Sequence, residues 1–288
     1  MADVESIGRA VCDSVDSHGY AFQHAVGRRI RELSSDASFR WYDPIMEFPI
    51  KVGGLHSRID LLVRHKHGHR LLVVECKRTN PAFGAWVFFE APPAASNTSA
   101  GIVFAEQLHR DKSGACQGSV LAWQWGGTSG RVKHLGLVLK RTDVRGDPWS
   151  PEGSGKDALE HACTQVMLGL NGFLSFAAQD ARVMEGHSSL TVLPVIITTA
   201  QLYSSELRLA DADVSTGSIS TQDARLTPID WLIYHYPQGH GVKHGLSLTG
   251  LQQEYDPLLE SLYREYVRPV AVVSPEGLEP FLRLGHWL

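Results

Sequence analysis

Cysteine is scarce in this chain and never closely spaced. Four cysteines, Cys12, Cys76, Cys116 and Cys163, lie far apart in 288 residues, which argues against both a zinc ribbon and a disulfide framework. An excess of one charge is missing too: 27 Lys and Arg against 31 Asp and Glu leave a net charge of −4. That excludes the global basic field of an architectural nucleic-acid binder, but not a local basic groove. No apolar run approaches membrane-spanning length, and MADVESIGRAVCDSVDS lacks the charged-then-apolar order of a signal peptide. The expected location is a reducing cytoplasm, with no membrane partner. No glycine-rich phosphate loop of the Walker or dinucleotide kind is present, which argues against ATP hydrolysis. Gly186–Leu190 lacks the glycines of a nucleophile elbow, which argues against a serine hydrolase. His56, His109, His134, His161, His187 and the His240/His244 pair show no zinc spacing with a second ligand pair.

What is present is ordinary globular composition, 43% hydrophobic and 20% charged, and one informative stretch. From Gly54 to Pro81 the chain reads GLHSRIDLLVRHKHGHRLLVVECKRTNP. Two apolar strands, Ser57–Arg64 and Arg70–Lys77, flank a polar tip, which is a hairpin signal. The turn centres on His67-Gly68, because Gly takes positive φ freely and His tolerates it. That register sets Asp60 opposite Glu75, Leu62 opposite Val73, Leu61 opposite Val74 and Val63 opposite Leu72. Side chains alternate along a strand, so Glu75 and Lys77 share a face with Asp60, and Arg58 lies across from the lysine. The far face, Ile59, Leu61, Val63, Leu72, Val74 and Cys76, is apolar. Two adjacent carboxylates ending a hydrophobic hairpin are unfavourable unless something binds them. A divalent cation suits facing hard oxygens, and the lysine beside it can orient a water or a phosphate oxygen. A solvated cross-strand salt-bridge quartet is the plainer alternative. Leu62 and Val73, flanking the cluster on its own face, indicate a covered face and favour a site. The histidines of the tip, His65, His67 and His69, read as solvated.

Elsewhere the spacing of Phe22, Val26, Ile30 and Leu33 predicts a helix over Tyr20–Leu33, with Gln23 at the border of its apolar stripe and Glu32 on its polar face. Arg28, Arg29 and Arg31 read as its solvated surface. Phe39–Val52, broken by Pro44 and Pro49, reads as one irregular strand, in which Glu47 could point toward the site but is expected to be exposed. Residues 79–153 read as an insertion or long lid, with strands at Ala85–Glu90, Val120–Trp125 and Leu135–Leu139. Its aromatics Trp86, Phe88, Phe89, Trp123 and Trp125 read as local core. A capping box at Ser154–Asp157 opens a helix to about Phe176, with Leu159, Ala162, Val166, Leu170 and Phe173 as its stripe. Gln165 sits at the border of that stripe. Leu190–Thr199 reads as a central strand buried on both faces, with Pro194 indicating a bulge or a start near Val195. Glu206–Ala210, Ile229–Tyr236 and Arg268–Val273 read as strands, Gln252–Tyr266 as a helix and Leu278–Leu284 as a helical turn. The order predicts one mixed α/β domain: a mixed sheet flanked by helices, core 19–78 and 157–199, insertion 79–153 after the third strand, and an α/β extension 200–288.

Asp60, Glu75-Cys76-Lys77, a helix before the hairpin and a Gln165-bearing helix after it together resemble the PD-(D/E)XK nuclease superfamily. The resemblance implies a restriction-endonuclease-like core and metal-dependent hydrolysis of nucleic acid, DNA in preference to RNA. It implies Asp60, Glu75 and the Cys76 backbone carbonyl as ligands of Mg²⁺ or Mn²⁺. The cation would polarise a phosphodiester oxygen and lower the pKa of a water. Lys77 would orient that water and stabilise the transition state. Gln165 joins the catalytic set, and Arg58 and Arg78 the substrate-binding set. Ile59 stands where the motif's name has proline. Where relatives often carry a helix glutamate, this chain offers Gln23, with Glu32 as a less well-angled substitute. A homodimer and a defence-system partner protein are compatible with the resemblance. The alternative is an inactive binding or assembly module that kept the fold.

Overall fold

In the computed structural model, which describes residues 4–79, 84–89, 102–124, 130–141, 149–151, 158–207, 211–219, 225–237 and 267–284, strong apolar periodicity becomes regular structure where expected. Helices α1 (Val4–Ser17) and α2 (Tyr20–Ser34) precede strands β1 (Ile45–Val52), β2 (Leu55–Arg64) and β3 (Arg70–Lys77). Residues 79–153 contribute β4 (Gly84–Phe89), β5 (Ile102–Arg110), β6 (Cys116–Gln124), β7 (Val132–Lys133), β8 (Leu135–Arg141) and β9 (Trp149–Pro151). Then come α3 (Ala158–Gln179), β10 (Ser189–Thr198), β11 (Gln201–Ser205), β12 (Leu226–Pro228), β13 (Trp231–Pro237), β14 (Val267–Val273) and α4 (Leu278–Arg283). The architecture is mixed α/β. Among the described residues no helix is long and apolar enough to cross a membrane.

A nine-stranded sheet runs β1-β2-β3-β10-β14-β13-β7, with the β5–β6 hairpin attached to β10; a five-stranded sheet runs β12-β11-β4-β8-β9. β1, β2 and β3 are antiparallel, whereas β3, β10 and β14 are parallel. One face of the large sheet buries Val26, Ile30 and Leu33 of α2 and Phe281 of α4 against Leu61, Val63, Leu72 and Val74. The other buries Leu159, Val166, Leu170 and Phe173 of α3 against Leu62, Val73 and Val192, with Trp86 and Phe88 of β4 in the same cluster. Each such side chain contributes ~1.5–3 kcal/mol of burial. Cys76 and Cys163 are core residues, as read.

The hairpin register is as expected, Leu61–Val74, Leu62–Val73 and Val63–Leu72, and Gly68 holds the turn at φ 81°. Several expectations need correction. α1 carried no strong signal, because Ile7, Val11 and Val15 remain exposed rather than forming a buried stripe. The β5–β6 hairpin replaces the single short strand expected at Val120–Trp125. The described strands of residues 79–153 are built into the two sheets: β5 pairs with β10, and β4 is the middle of the second sheet. β10 runs unbroken through Pro194, because its β5 ladder ends at Val192 and its β14 ladder begins at Val195, so the missing N–H falls in a gap between partners. A strand lies at Gln201–Ser205, and of the one expected at Glu206–Ala210 only 206–207 are described, neither of them in a strand. The Ser154–Asp157 capping box, the Gln252–Tyr266 helix and Trp125 lie outside the described residues.

Candidate functional site

The regular ladders stop where the acids stand. β2 pairs with β3 only from Leu61–Val74 upward. In the β1–β2 ladder Met46 pairs with Leu61 and Phe48 with Ile59, leaving Glu47 and Asp60 unpaired between them. Glu47 has φ 53°, the only positive φ of a non-glycine residue among those described, and the ladder breaks there with its register unchanged, one residue unpaired on each strand. The break inverts the alternation on both strands. Ile59 joins Leu62 in the α3-side cluster rather than Leu61 and Val63 on the α2 side, which corrects its expected face. Phe48 likewise packs on the α3 side although Met46 packs on the other.

This distortion frees Asp60 to bond outside the sheet. Its Oδ2 accepts the Cys76 N–H at 2.7 Å, and its backbone carbonyl accepts Gln23 Nε2 at 3.1 Å. Within a strand a residue's N–H and C=O point to the same side. The Cys76 carbonyl is therefore directed toward β2 and Asp60, while the next carbonyl, of Lys77, turns to β10 and accepts Thr199 N–H at 3.3 Å. Thr79 N–H donates to Thr199 Oγ1 at 2.7 Å, so the end of β3 is tied to the end of β10.

Glu75 stands beside Asp60, and both are half-buried. Burial is the main cause of a rise in the Asp60 pKa to about 6. The Glu47 charge adds to it, against the Cys76 hydrogen bond and Lys77. Burial pushes Glu75 to about 8, reinforced by Asp60 and Glu47 and opposed by Lys77. Among the described residues neither carboxylate has a cationic side chain at salt-bridge distance. The acids therefore repel one another with no counter-charge in contact, the condition a bound cation relieves.

Glu47 faces this cluster, not solvent, which corrects its expected exposure. Its Oε1 accepts Gln23 Nε2 at 2.6 Å, and its Oε2 accepts Arg58 Nη1 at 2.9 Å. One amide nitrogen of Gln23, a residue only 4% exposed, thus bridges the Glu47 carboxylate and the Asp60 main chain. Arg58 is engaged by Glu47 and not set across from Lys77, because the β2–β3 ladder ends before reaching it. Lys77 Nζ instead lies 3.0 Å from Nδ1 of His161 on α3, a distance at which an ammonium donates to a neutral ring nitrogen.

The remaining candidates are more peripheral. Gln165 is exposed on α3, one turn after His161 and on the same side of the helix. Arg78 donates to the Asp16 carbonyl at 2.8 Å and lies 3.6 Å from the Asp16 carboxylate. Glu32 is exposed and paired with Arg28 and Arg29, remote in role from the acids. One contributor, His161, escaped sequence reasoning, and Glu47, able from its place to point toward the site, was expected to be exposed. The available signal for Glu47 was an acid within the apolar run IMEFPI immediately before the hairpin.

Among the described residues no group of three or more His, Cys, Asp or Glu side chains is placed to hold a metal ion. The donor set at the hairpin is two carboxylates and one main-chain carbonyl. That all-oxygen set fits Mg²⁺ or Mn²⁺, which keep several waters and take few protein ligands, and does not fit Zn²⁺. No family model, curated protein or solved structure matches this chain.

Proposed function

We propose that this chain hydrolyses phosphodiester bonds of nucleic acid, DNA in preference to RNA, through Asp60, Glu75 and Lys77 with a divalent cation. The observation that carries this reading is the Asp60–Glu75 pair. The two acids are half-buried and mutually repelling, beside a carbonyl directed into the same gap. The order α2, β1–β3, α3, β10 supports a restriction-endonuclease-like core. A cation bound there supplies Lewis-acid polarisation of the phosphodiester and acidifies a water.

The chain's own residues do the rest. Asp60 is fixed by the Cys76 N–H on one side and, through its backbone, by Gln23 on the other. Lys77, held by His161, presents a positive charge to the oxygens of a phosphorane-like transition state. Gln165 is exposed one turn along α3 from His161, on the same side of the helix. Arg58 can exchange Glu47 for a phosphate at small cost, since an exposed pair of this kind contributes under ~1 kcal/mol.

Incubation of supercoiled plasmid with Mg²⁺ or Mn²⁺ tests the reading. Nicking or linearisation should appear with metal, disappear with chelator, and fall at least ~100-fold in Lys77→Ala. Inertness toward both DNA and RNA with either metal would replace the enzyme by a nuclease-fold binding module.

A further inference from the structure

The far end of the same hairpin gathers basic groups from three segments of chain. Arg40 Nη1 lies 3.1 Å from His67 Nε2. The His65 and His67 rings are 5.1 Å apart and those of His69 and His187 6.1 Å apart. His187 packs directly over the turn, so closely that a Cβ on Gly68 would fall 2.1 Å from its Nε2. Lys66 and Arg70 complete the group.

The tip is not the solvated loop its sequence indicates. His65 is 1% exposed. His65 N–H donates to the Arg70 carbonyl at 3.0 Å, Lys66 N–H to the Arg40 carbonyl at 2.7 Å, and Thr191 N–H to the His69 carbonyl at 2.8 Å. The backbone that carries the basic groups is therefore held in place by main-chain bonds, which confines the ordering on binding to the side chains.

No carboxylate balances them. Among the described residues, Arg40, Lys66 and Arg70 have no acid at salt-bridge distance, although Arg29, Arg31, Arg131 and Arg283 each have one. Every charge that acts on His65 comes from Arg70, Arg40, His67 or His69, and with burial these push it down to about 4. Two buried donors, His65 Nε2 and Arg70 Nε, have no acceptor. His65 Nδ1 accepts the His67 N–H at 3.2 Å, which leaves the ring proton on Nε2. In a chain of net charge −4, uncompensated positive charge fixed beside unfilled donors is what an oxyanion site requires.

We propose that Arg40, Lys66 and Arg70, with the surrounding histidines, form a phosphate-binding site at the hairpin tip, separate from the acid cluster. As part of a nucleic-acid contact it rests on the nuclease reading and deepens it. Arg70 and Lys77 are the two ends of one strand; seven residue steps of about 3.3 Å separate them by ~23 Å. That is roughly seven phosphates along one strand of a nucleic acid. The tip would then grip the backbone well away from the bond that is cut. Free oligophosphate shares the same chemistry and is the other source of the ligand.

The test is equilibrium binding by the full chain in chelator, so that cleavage does not intervene. A labelled duplex of roughly 20 base pairs is followed by anisotropy across a salt series, and tripolyphosphate is titrated by calorimetry. Arg40→Gln/Lys66→Gln should weaken duplex binding about tenfold and reduce the salt slope by about two. Arg283→Gln, an exposed arginine paired with Glu279 and Asp36, should do neither. Loss of tripolyphosphate binding alone would keep the site and assign it to a free oligophosphate. A folded double variant that binds both ligands within about twofold of wild type, with an unchanged salt slope, overturns the proposal; if the pair fails to fold, Arg40→Gln is judged alike. Plasmid cleavage scored in parallel separates the two readings. Cleavage with no tip effect removes the tip site alone, whereas tip-dependent binding without any cleavage removes the nuclease alone.

Discussion

Gln23 carries more of the acid cluster than its chemistry first indicates. Its amide nitrogen donates both to Glu47 Oε1 and to the Asp60 carbonyl, and a carboxylate cannot replace that. Gln23→Glu should therefore be worse than Gln23→Ala, because it adds repulsion as well as removing the donor. We expect Gln23→Glu to weaken Mn²⁺ binding, measured by calorimetry, roughly tenfold relative to wild type. If it instead strengthened binding, Gln23 would be a lost ligand and not a support. The acids also fix a pH dependence. With Glu75 near 8 and Asp60 near 6, Glu75 is protonated at pH 7 until a cation takes the site. Cation binding at pH 7 should then release close to one proton, seen as a dependence of binding enthalpy on buffer ionisation, and affinity should rise toward pH 8. The folding linkage has the matching sign. A carboxyl raised on folding stabilises the apo protein at low pH, and that contribution is lost as pH rises through about 8. Glu75→Gln should raise the apo Tm at pH 8 by a few degrees. Glu75 and Lys77 were legible because alternation holds along β3, whereas Asp60 lies beyond the last paired rung of the hairpin and reaches the Cys76 N–H where the β1–β2 ladder breaks. Glu47 was not legible, since its positive φ falls where the β1–β2 ladder breaks, and no propensity encodes it. His161 meets Lys77 only after α3 has packed on the sheet.

Elements were legible in proportion to how completely they bury a periodic face. α2 and α3 each place regular apolar positions in one of the two cores, β2, β3 and β10 in both, and each was readable. α1 keeps its apolar residues exposed, and the β5–β6 hairpin has neither an Asn-Gly turn nor clean alternation to announce it. Packing between readable elements also sets hidden constraints. Gly172 of α3 faces β1 so closely that an added Cβ would stand 2.7 Å from Ile50 and 2.8 Å from Val52. Helix propensity alone would favour alanine there by up to ~1 kcal/mol. Overpacking against Ile50 and Val52 outweighs that gain, so Gly172→Ala should destabilise by ~1–3 kcal/mol in urea unfolding. A neutral or stabilising result would mean that β1 can retreat from α3.

At the scale of the whole molecule, one ion pair decides whether residues 79–153 fold with the core or apart from it. Glu106 of β5 meets Arg268 of β14 at 2.5 Å with each side chain 5% exposed, and β5 and β14 flank successive halves of β10. Burial raises the Glu106 pKa, opposed by the Arg268 charge and hydrogen bond. Such a pair gives little net stability over apolar residues of similar size, but removing one partner strands a buried charge. Glu106→Ala should therefore cost ~3–5 kcal/mol, while Glu106→Leu/Arg268→Met should recover most of it. The location of the loss is the sharper measurement. If the insertion is part of the core, unfolding stays a single transition when followed by fluorescence of the buried Trp231, which lies on β13 next to β14. An insertion that folds separately would lose structure in a first step that leaves the Trp231 signal and Mn²⁺ binding intact. Because β10 also carries β3, and β3 carries Glu75 and Lys77, a shared transition would make the insertion a structural support of the acid cluster.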